Sequence, residues 1–166
     1  LRDPRKFGCV LWAEGAVNEH RLIKNLGPEP LDDSFTAHYL HDIARKRTCS
    51  IKAFIMNSHI VVGVGNIYAS EALFKSGINP KRKAGKISLL SMQRLVEAIK
   101  QTLIAAINQG GTTLRDFTGT NGQPGYFAQK LLVYGRKGEN CSQCGQAIKQ
   151  FMQQARSTFY CSKCQK

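Results

Sequence analysis

"CSQCGQAIKQFMQQARSTFYCSKC", residues 141–164, carries four of the chain's six cysteines in two Cys-x-x-Cys pairs. Sixteen residues separate Cys144 from Cys161, a spacing that matches a four-cysteine zinc ribbon. Two residues between thiolates allow one tight turn to present both sulfurs to a single ion. Two such turns complete a tetrahedron. Four protein ligands leave no open coordination position, so the expected role of the metal is structural. Disulfides or free thiols are the alternative, but no secretory segment is visible. All four histidines precede residue 60, so none is needed as a ligand. Cys9 and Cys49 sit in mixed surroundings and receive no role.

Between the pairs, "FMQQARSTFY" reads as a β-ribbon tip with one cation, Arg156, just before the returning strand. A tip held rigid by metal would aim that guanidinium at a phosphate with little loss of entropy. An ordinary surface arginine is the equal alternative.

Charge separates the chain into two parts. Residues 1–43 carry five basic and seven acidic side chains, and residues 44–166 carry nineteen and four. A cationic block of this size favours a polyanion, nucleic acid before an anionic membrane. A hydrophobic fraction of 42 % in 166 residues supports a real core and excludes wholesale disorder. No apolar run approaches the length of a membrane span. The opening "LRDPRKFGCVLW" lacks signal-peptide layout and reads as a piece of something longer.

Four helices are expected downstream of the loop "LGPEPLDDSF". The first is capped by Ser34 or Thr36 and runs to about Arg45, with Phe35, Tyr39, Leu40 and Ile43 inward. The second is short, from Ser50 to Asn57. The glycines of "VVGVGN" interrupt the pattern, and Asn66 is the expected N-cap of a third helix to about Ser76. The fourth runs from Ser88 to Asn108, with an apolar stripe through Leu89, Met92, Val96, Ile99, Leu103 and Ala106. β-formers around the turn-like "DPRKFG" suggest a strand or hairpin near the N-terminus, and "KLLVYGRKG" reads as a strand and turn.

Three further stretches carry candidate chemistry. "GVGN" leads backbone N–H groups into a helix start, which is either an anion site or a plain helix cap. In "DPRKFG", Arg5 and Phe7 would act as a base-step wedge, or Phe7 belongs to the core. "TTLRDFTGTNGQPGYF" is a long polar loop, and loops of that length in compact domains commonly bind something.

"DPRKFG", "LGPEPL", "IKAFIM", "VVGVGNIYASEALF", "GGTTLRDF", "PGYFAQKLLVYGRKGE" and the four-cysteine stretch occur in the order of one family. The chain closely resembles bacterial formamidopyrimidine-DNA glycosylases over essentially all its length. The resemblance implies a mainly α fold. A helix–two-turn–helix bundle is followed by a C-terminal β-hairpin four-cysteine zinc finger, with a short β remnant at the N-terminus. The implied divisions are 1–34 for the remnant and linker, 35–127 for the DNA-binding domain including a lesion-recognition loop at 113–127, and 128–166 for the finger.

It also implies an activity. Such enzymes excise 8-oxoguanine and ring-opened purines by flipping the base and forming a Schiff base. By resemblance, Lys52, Asn66 and Arg156 contact DNA phosphates, and Arg156 matches the proton donor of the second elimination step. Arg5 fills the gap left by the flipped base, with Phe7 wedged beside it. Arg115 and Tyr126 contact the extruded base. Cys141, Cys144, Cys161 and Cys164 hold one structural zinc ion.

The family's N-terminal Pro-Glu-Leu-Pro-Glu stretch, with its nucleophilic amine, does not occur in these residues. The 166-residue chain alone is therefore expected to bind duplex DNA with oxidised purines or abasic sites without excising a base. It is expected to act as a cytoplasmic monomer away from membranes. An endonuclease VIII-type enzyme for oxidised pyrimidines is the sister alternative. The 113–127 loop and the "DPRKFG" wedge favour the purine branch. A non-enzymatic zinc-ribbon DNA-binding module is the alternative from another class.

Overall fold

The computed structural model describes residues 8, 10–12, 14–111 and 131–166. Four helices and one hairpin organise them: α1 (Ala37–Ala44), α2 (Ile51–Ile55), α3 (Asn66–Lys75), α4 (Leu89–Ile107), β1 (Lys149–Gln153) and β2 (Arg156–Tyr160). Single 3-10 turns lie at Val17–Glu19 and Ala84–Lys86.

Three helices start on a side-chain cap. The hydroxyl of Thr36 accepts from Tyr39 N–H at 3.1 Å, that of Ser50 from Ala53 N–H at 3.2 Å, and that of Ser88 from Ser91 N–H at 3.3 Å. Each such cap is worth about 1 kcal/mol. The third helix differs from the sequence expectation. Gly65 is its N-cap and Asn66 its first helical residue, and no side chain caps it. A capping Asn66 would spend its side chain on its own helix, whereas one position further on the carboxamide is free to reach elsewhere. At the other end, Gly77 takes φ +71°, and the N–H of Ile78 donates to the carbonyl of Leu73 at 3.0 Å. This left-handed closure turns the chain sharply and puts Ile78 into the core.

α4 packs against both α1 and α3. Met92, Leu95 and Ile99 from α4 meet Leu40 and Ala44 from α1, Ile51 and Ile55 from α2, and Leu73 from α3, all buried. Each large aliphatic side chain buried this way contributes roughly 1.5–3 kcal/mol. The expected stripe is therefore core, although Leu89 is only half-buried at its edge.

The hairpin is antiparallel, from Lys149 opposite Tyr160 to Gln153 opposite Arg156. Its two-residue tip has Gln154 at φ 49° and Ala155 at φ 56°. Two left-handed residues in succession make the type I′ turn that matches strand twist. Phe74 from α3 enters the apolar cluster of the finger with Val133, Ile148 and Phe159, so helices and finger share packing.

Two sequence expectations change here. Leu131–Gly135, expected as a strand, forms bends and turns. Its N–H groups find the Glu71 carboxylate instead of a neighbouring strand, as described below. The expected N-terminal β segment falls largely outside the described residues, and residues 8, 10–12 and 14–34 contain no strand.

Candidate nucleic-acid interface and metal centre

The four sulfurs of Cys141, Cys144, Cys161 and Cys164 lie within 4.8 Å of one another. Cys141 and Cys164 are 3.8 Å apart and Cys144 and Cys161 3.4 Å apart. Disulfide bonding requires about 2.05 Å, so these are not disulfides. A tetrahedron with 2.3 Å metal–sulfur bonds has edges of about 3.8 Å, which these residues fit. Burial, with hydrogen bonds from Cys144, Cys161 and Cys141, pushes the Cys164 thiol up to about 12.

Each knuckle is braced. Cys141 N–H donates to the Gln146 carbonyl at 2.9 Å. Cys161 N–H donates to Oε1 of buried Gln165 at 2.9 Å, while Nε2 of the same side chain donates to the Ile78 carbonyl at 2.9 Å. One glutamine therefore ties the second knuckle to the loop after α3.

Beside the hairpin lies a cationic centre. Lys52, on α2, is only 2 % exposed. Its ammonium donates to Asn66 Oδ1 at 2.6 Å, Thr158 Oγ1 at 2.8 Å and the Ser157 carbonyl at 3.3 Å. Its three protons are thus engaged without a carboxylate. Asn66 Nδ2 donates to the Ser157 carbonyl at 3.1 Å and the Tyr134 hydroxyl at 3.3 Å. Arg156 is exposed, and its guanidinium has no hydrogen-bond or ion-pair partner among the described residues. Burial first, and the Arg156 charge second, pull Lys52 down to about 8. The arrangement concentrates positive charge at the join of α2, α3 and β2, and neither Lys52 nor Arg156 has an ion-pair partner among the described residues.

The sequence reading missed two residues that assemble this centre. Glu71, 2 % exposed on α3, accepts three backbone N–H groups: Leu132 at 2.8 Å, Val133 at 3.0 Å and Tyr134 at 2.9 Å. It fixes the segment that carries Tyr134 to the Asn66 side chain. Gln153 donates to the hydroxyl of Ser50, which also caps α2, so it joins the hairpin tip to the α2 start. Neither contact has a sequence signature, since both span more than sixty residues. Arg5, Phe7, Arg115, Tyr126 and Cys9 lie outside the described residues, as does the 113–127 loop. Cys49 is exposed and unbonded to another cysteine.

Comparison with known proteins agrees with this architecture. Residues 26–118 match the family described as the formamidopyrimidine-DNA glycosylase H2TH domain. The chain is 56 % identical over 166 residues to a formamidopyrimidine-DNA glycosylase of Idiomarina loihiensis and to another of Marinobacter nauticus. All of this chain is covered in both, against 62 % and 61 % of those proteins. It spans about three fifths of the length of these relatives. Its fold is similar to the MutM (Fpg) protein of Thermus thermophilus, with a TM-score of 0.90 and 34 % identity over 98 % of this chain and 62 % of that one. It is also similar to Lactococcus lactis Fpg in complex with abasic-site DNA, with a TM-score of 0.80 and 34 % identity over 87 % of this chain and 53 % of that one. No described helix is long and apolar enough to cross a membrane.

Proposed function

Because the chain belongs to the formamidopyrimidine-DNA glycosylase family, we propose that it is the DNA-gripping part of a base-excision glycosylase and AP lyase acting on 8-oxoguanine and formamidopyrimidines. The observation that carries this reading is the Lys52 ammonium, buried beside the Arg156 charge with no ion-pair partner among the described residues. An uncompensated buried cation is costly, and a DNA phosphate entering the centre would relieve it. Asn66 holds Lys52 in place and Arg156 offers its open guanidinium, so these three would take the backbone around a flipped nucleotide. By family resemblance, Arg156 would also donate the proton of the second elimination step. By family resemblance, Arg5 and Phe7 would fill the duplex gap, with Arg115 and Tyr126 contacting the extruded base.

The metal would be one zinc ion held by Cys141, Cys144, Cys161 and Cys164, the thiolate set that zinc favours. Bound there, the ion would supply rigidity at the hairpin base, since four protein thiolates leave it no open position for substrate. Residues 35–127 would be the DNA-binding domain and 128–166 the finger, acting as a monomer in the cytoplasm.

The covalent route needs an amine nucleophile at C1′ of the damaged nucleoside, and these 166 residues hold no Pro-Glu-Leu-Pro-Glu stretch. The chain by itself would therefore bind without excising. Gel shifts with abasic-site and undamaged duplexes, together with borohydride trapping on an 8-oxoguanine duplex, test both statements. The expected result is salt-sensitive retention that favours the abasic duplex, with no covalent adduct. An adduct would overturn the non-excising claim, and failure to retain either duplex would overturn the DNA reading. Equal affinity for the two duplexes would favour a lesion-blind DNA-binding module. Arg156→Ala should lower the salt slope by about one unit.

A further inference from the structure

Side chains of a hairpin alternate between its two faces, and residues directly opposite one another share a face. Gln153 is opposite Arg156, Phe151 opposite Thr158 and Lys149 opposite Tyr160, so these six lie on one face. Four of them engage the helical part of the chain. The Lys81 ammonium, in the loop after α3, stands 4.3 Å from the centre of the Phe151 ring and 5.7 Å from that of Tyr160. Thr158 Oγ1 accepts from Lys52, and Gln153 donates to Ser50. Arg156 lies at the tip end of this same face, which turns it toward α2.

No hydrogen bond or ion pair among the described residues holds the Arg156 guanidinium. Its place is therefore set by the tip that carries it. Among residues 153–156, the Gln153–Ser50 bond is the one described hydrogen bond to the helices. The anchor of that bond is itself fixed. Ser50 Oγ caps α2 by accepting from Ala53 N–H at 3.2 Å, and Ser50 bridges to Lys83. The N–H of Ile51 donates to the Arg82 carbonyl at 2.7 Å. Lys52 follows directly on the same helix. The clasp thus runs from the residue opposite Arg156 to the start of the helix that bears Lys52.

Packing alone gives no reason for a glutamine at position 153. Its Oε1 is buried without a hydrogen-bond partner, and a buried unpaired acceptor is destabilising. An apolar side chain of the same length would fill the space without that cost, but it could not bond to Ser50. The clasp also works against a repulsion. After burial, the Arg156 charge is the second cause that pulls Lys52 down to about 8. A tip free to move would carry the guanidinium away from the ammonium.

We propose that Gln153 is a positioning residue, whose bond to Ser50 holds Arg156 beside Lys52 so that both cations meet the same stretch of phosphate backbone. It rests on the DNA reading above.

The test separates position from stability. Gln153→Met keeps the length of the side chain and removes the clasp. Ser50→Gly removes it from the other side with little loss of capping, because glycine is nearly as good an N-cap as serine. Backbone NMR relaxation of the free 166-residue chain should give order parameters of about 0.85 for residues 154–156 in wild type and below about 0.6 in both variants. Residues 149–151 should stay rigid. Fluorescence anisotropy on an abasic-site duplex then reads the salt dependence of affinity. Arg156→Ala should lower the slope of log affinity against log salt by about one unit. Gln153→Met removes no charge, yet it should lower the slope by a similar amount, and the double variant should go no lower than Arg156→Ala. A residue that only stabilised the finger would leave the slope unchanged and add its effect to that of Arg156→Ala. Unaltered order at the tip, an unaltered slope in Gln153→Met, or additive effects each overturn the inference, while the response to Arg156→Ala leaves the DNA reading standing. A wild-type chain that binds no duplex overturns both.

Discussion

The Lys52 ammonium and the Asn66 carboxamide oxygen stand 2.6 Å apart, and this bond joins α2 to the first turn of α3 below the finger. Asn66 is the partner that keeps a buried cation solvated by protein. Asn66→Ala removes that acceptor and should cost about 1–3 kcal/mol of stability. It should also weaken duplex affinity, because Lys52 loses its fixed position. Thermal unfolding and anisotropy on the same variant check both effects, and full affinity at lowered stability would remove Asn66 from the interface.

Lys52 makes stability depend on pH in a defined direction. Its folded-state pKa is lowered from 10.5 to about 8, first by burial and then by Arg156. The unfolded chain therefore holds this proton more tightly than the folded one. The destabilisation is fully present below pH 8 and is relieved as pH rises from about 8 to 10.5. Duplex binding runs the opposite way, since phosphate favours the charged amine, and should weaken as pH climbs through the same window. Urea unfolding and anisotropy between neutral and alkaline pH test this, with Lys52→Met expected to lose both dependences.

Removing the metal should disturb the helical part as well as the finger. Thr158 and Ser157 on β2 bond to Lys52, and Gln165 ties Cys161 to the loop after α3. Chelation or Cys161→Ser should release close to one zinc ion per chain and lower the melting temperature of the single cooperative transition. It should also abolish duplex binding. A finger that melted alone, leaving affinity intact, would contradict this coupling.

Glu71 anchors Leu132–Tyr134 through three backbone N–H groups. Glu71→Ala strands all three, at about 1–3 kcal/mol for each buried unpaired group. Glu71→Gln keeps one acceptor oxygen and should fall between that variant and wild type. Denaturant midpoints give the order, and equal stability of Gln and wild type would show that the charge contributes nothing.

At the hairpin tip, Ala155 has φ 56°, a conformation that costs a residue with a Cβ about 1 kcal/mol or more. Ala155→Gly should raise the melting temperature by about 2–4 °C. An unchanged or lower value would mean the tip carries no such strain.

Much of the architecture is legible before any coordinates. The Cys141–Cys164 spacing specifies a metal-closed hairpin because tetrahedral ligation constrains local geometry. The α4 stripe and the Thr36, Ser50 and Ser88 caps are readable because helix periodicity and capping act within a few residues. Asn66 was expected to be a cap because side-chain type alone favours that role. Its displacement by one position depends on what its carboxamide meets in space. The Leu131–Gly135 segment has the apolar composition of a strand, yet Glu71, sixty residues upstream, takes its hydrogen bonds.

The sequence by itself therefore determined the helices, the metal ligands, the family and the excess of positive charge, because each is encoded in short-range spacing or in composition. Only the tertiary structure decided where that charge is concentrated. Composition and spacing do not set Lys52 apart from other lysines, and only the family resemblance points to it; burial by α3 and β2 makes it a cation with no carboxylate partner among the described residues.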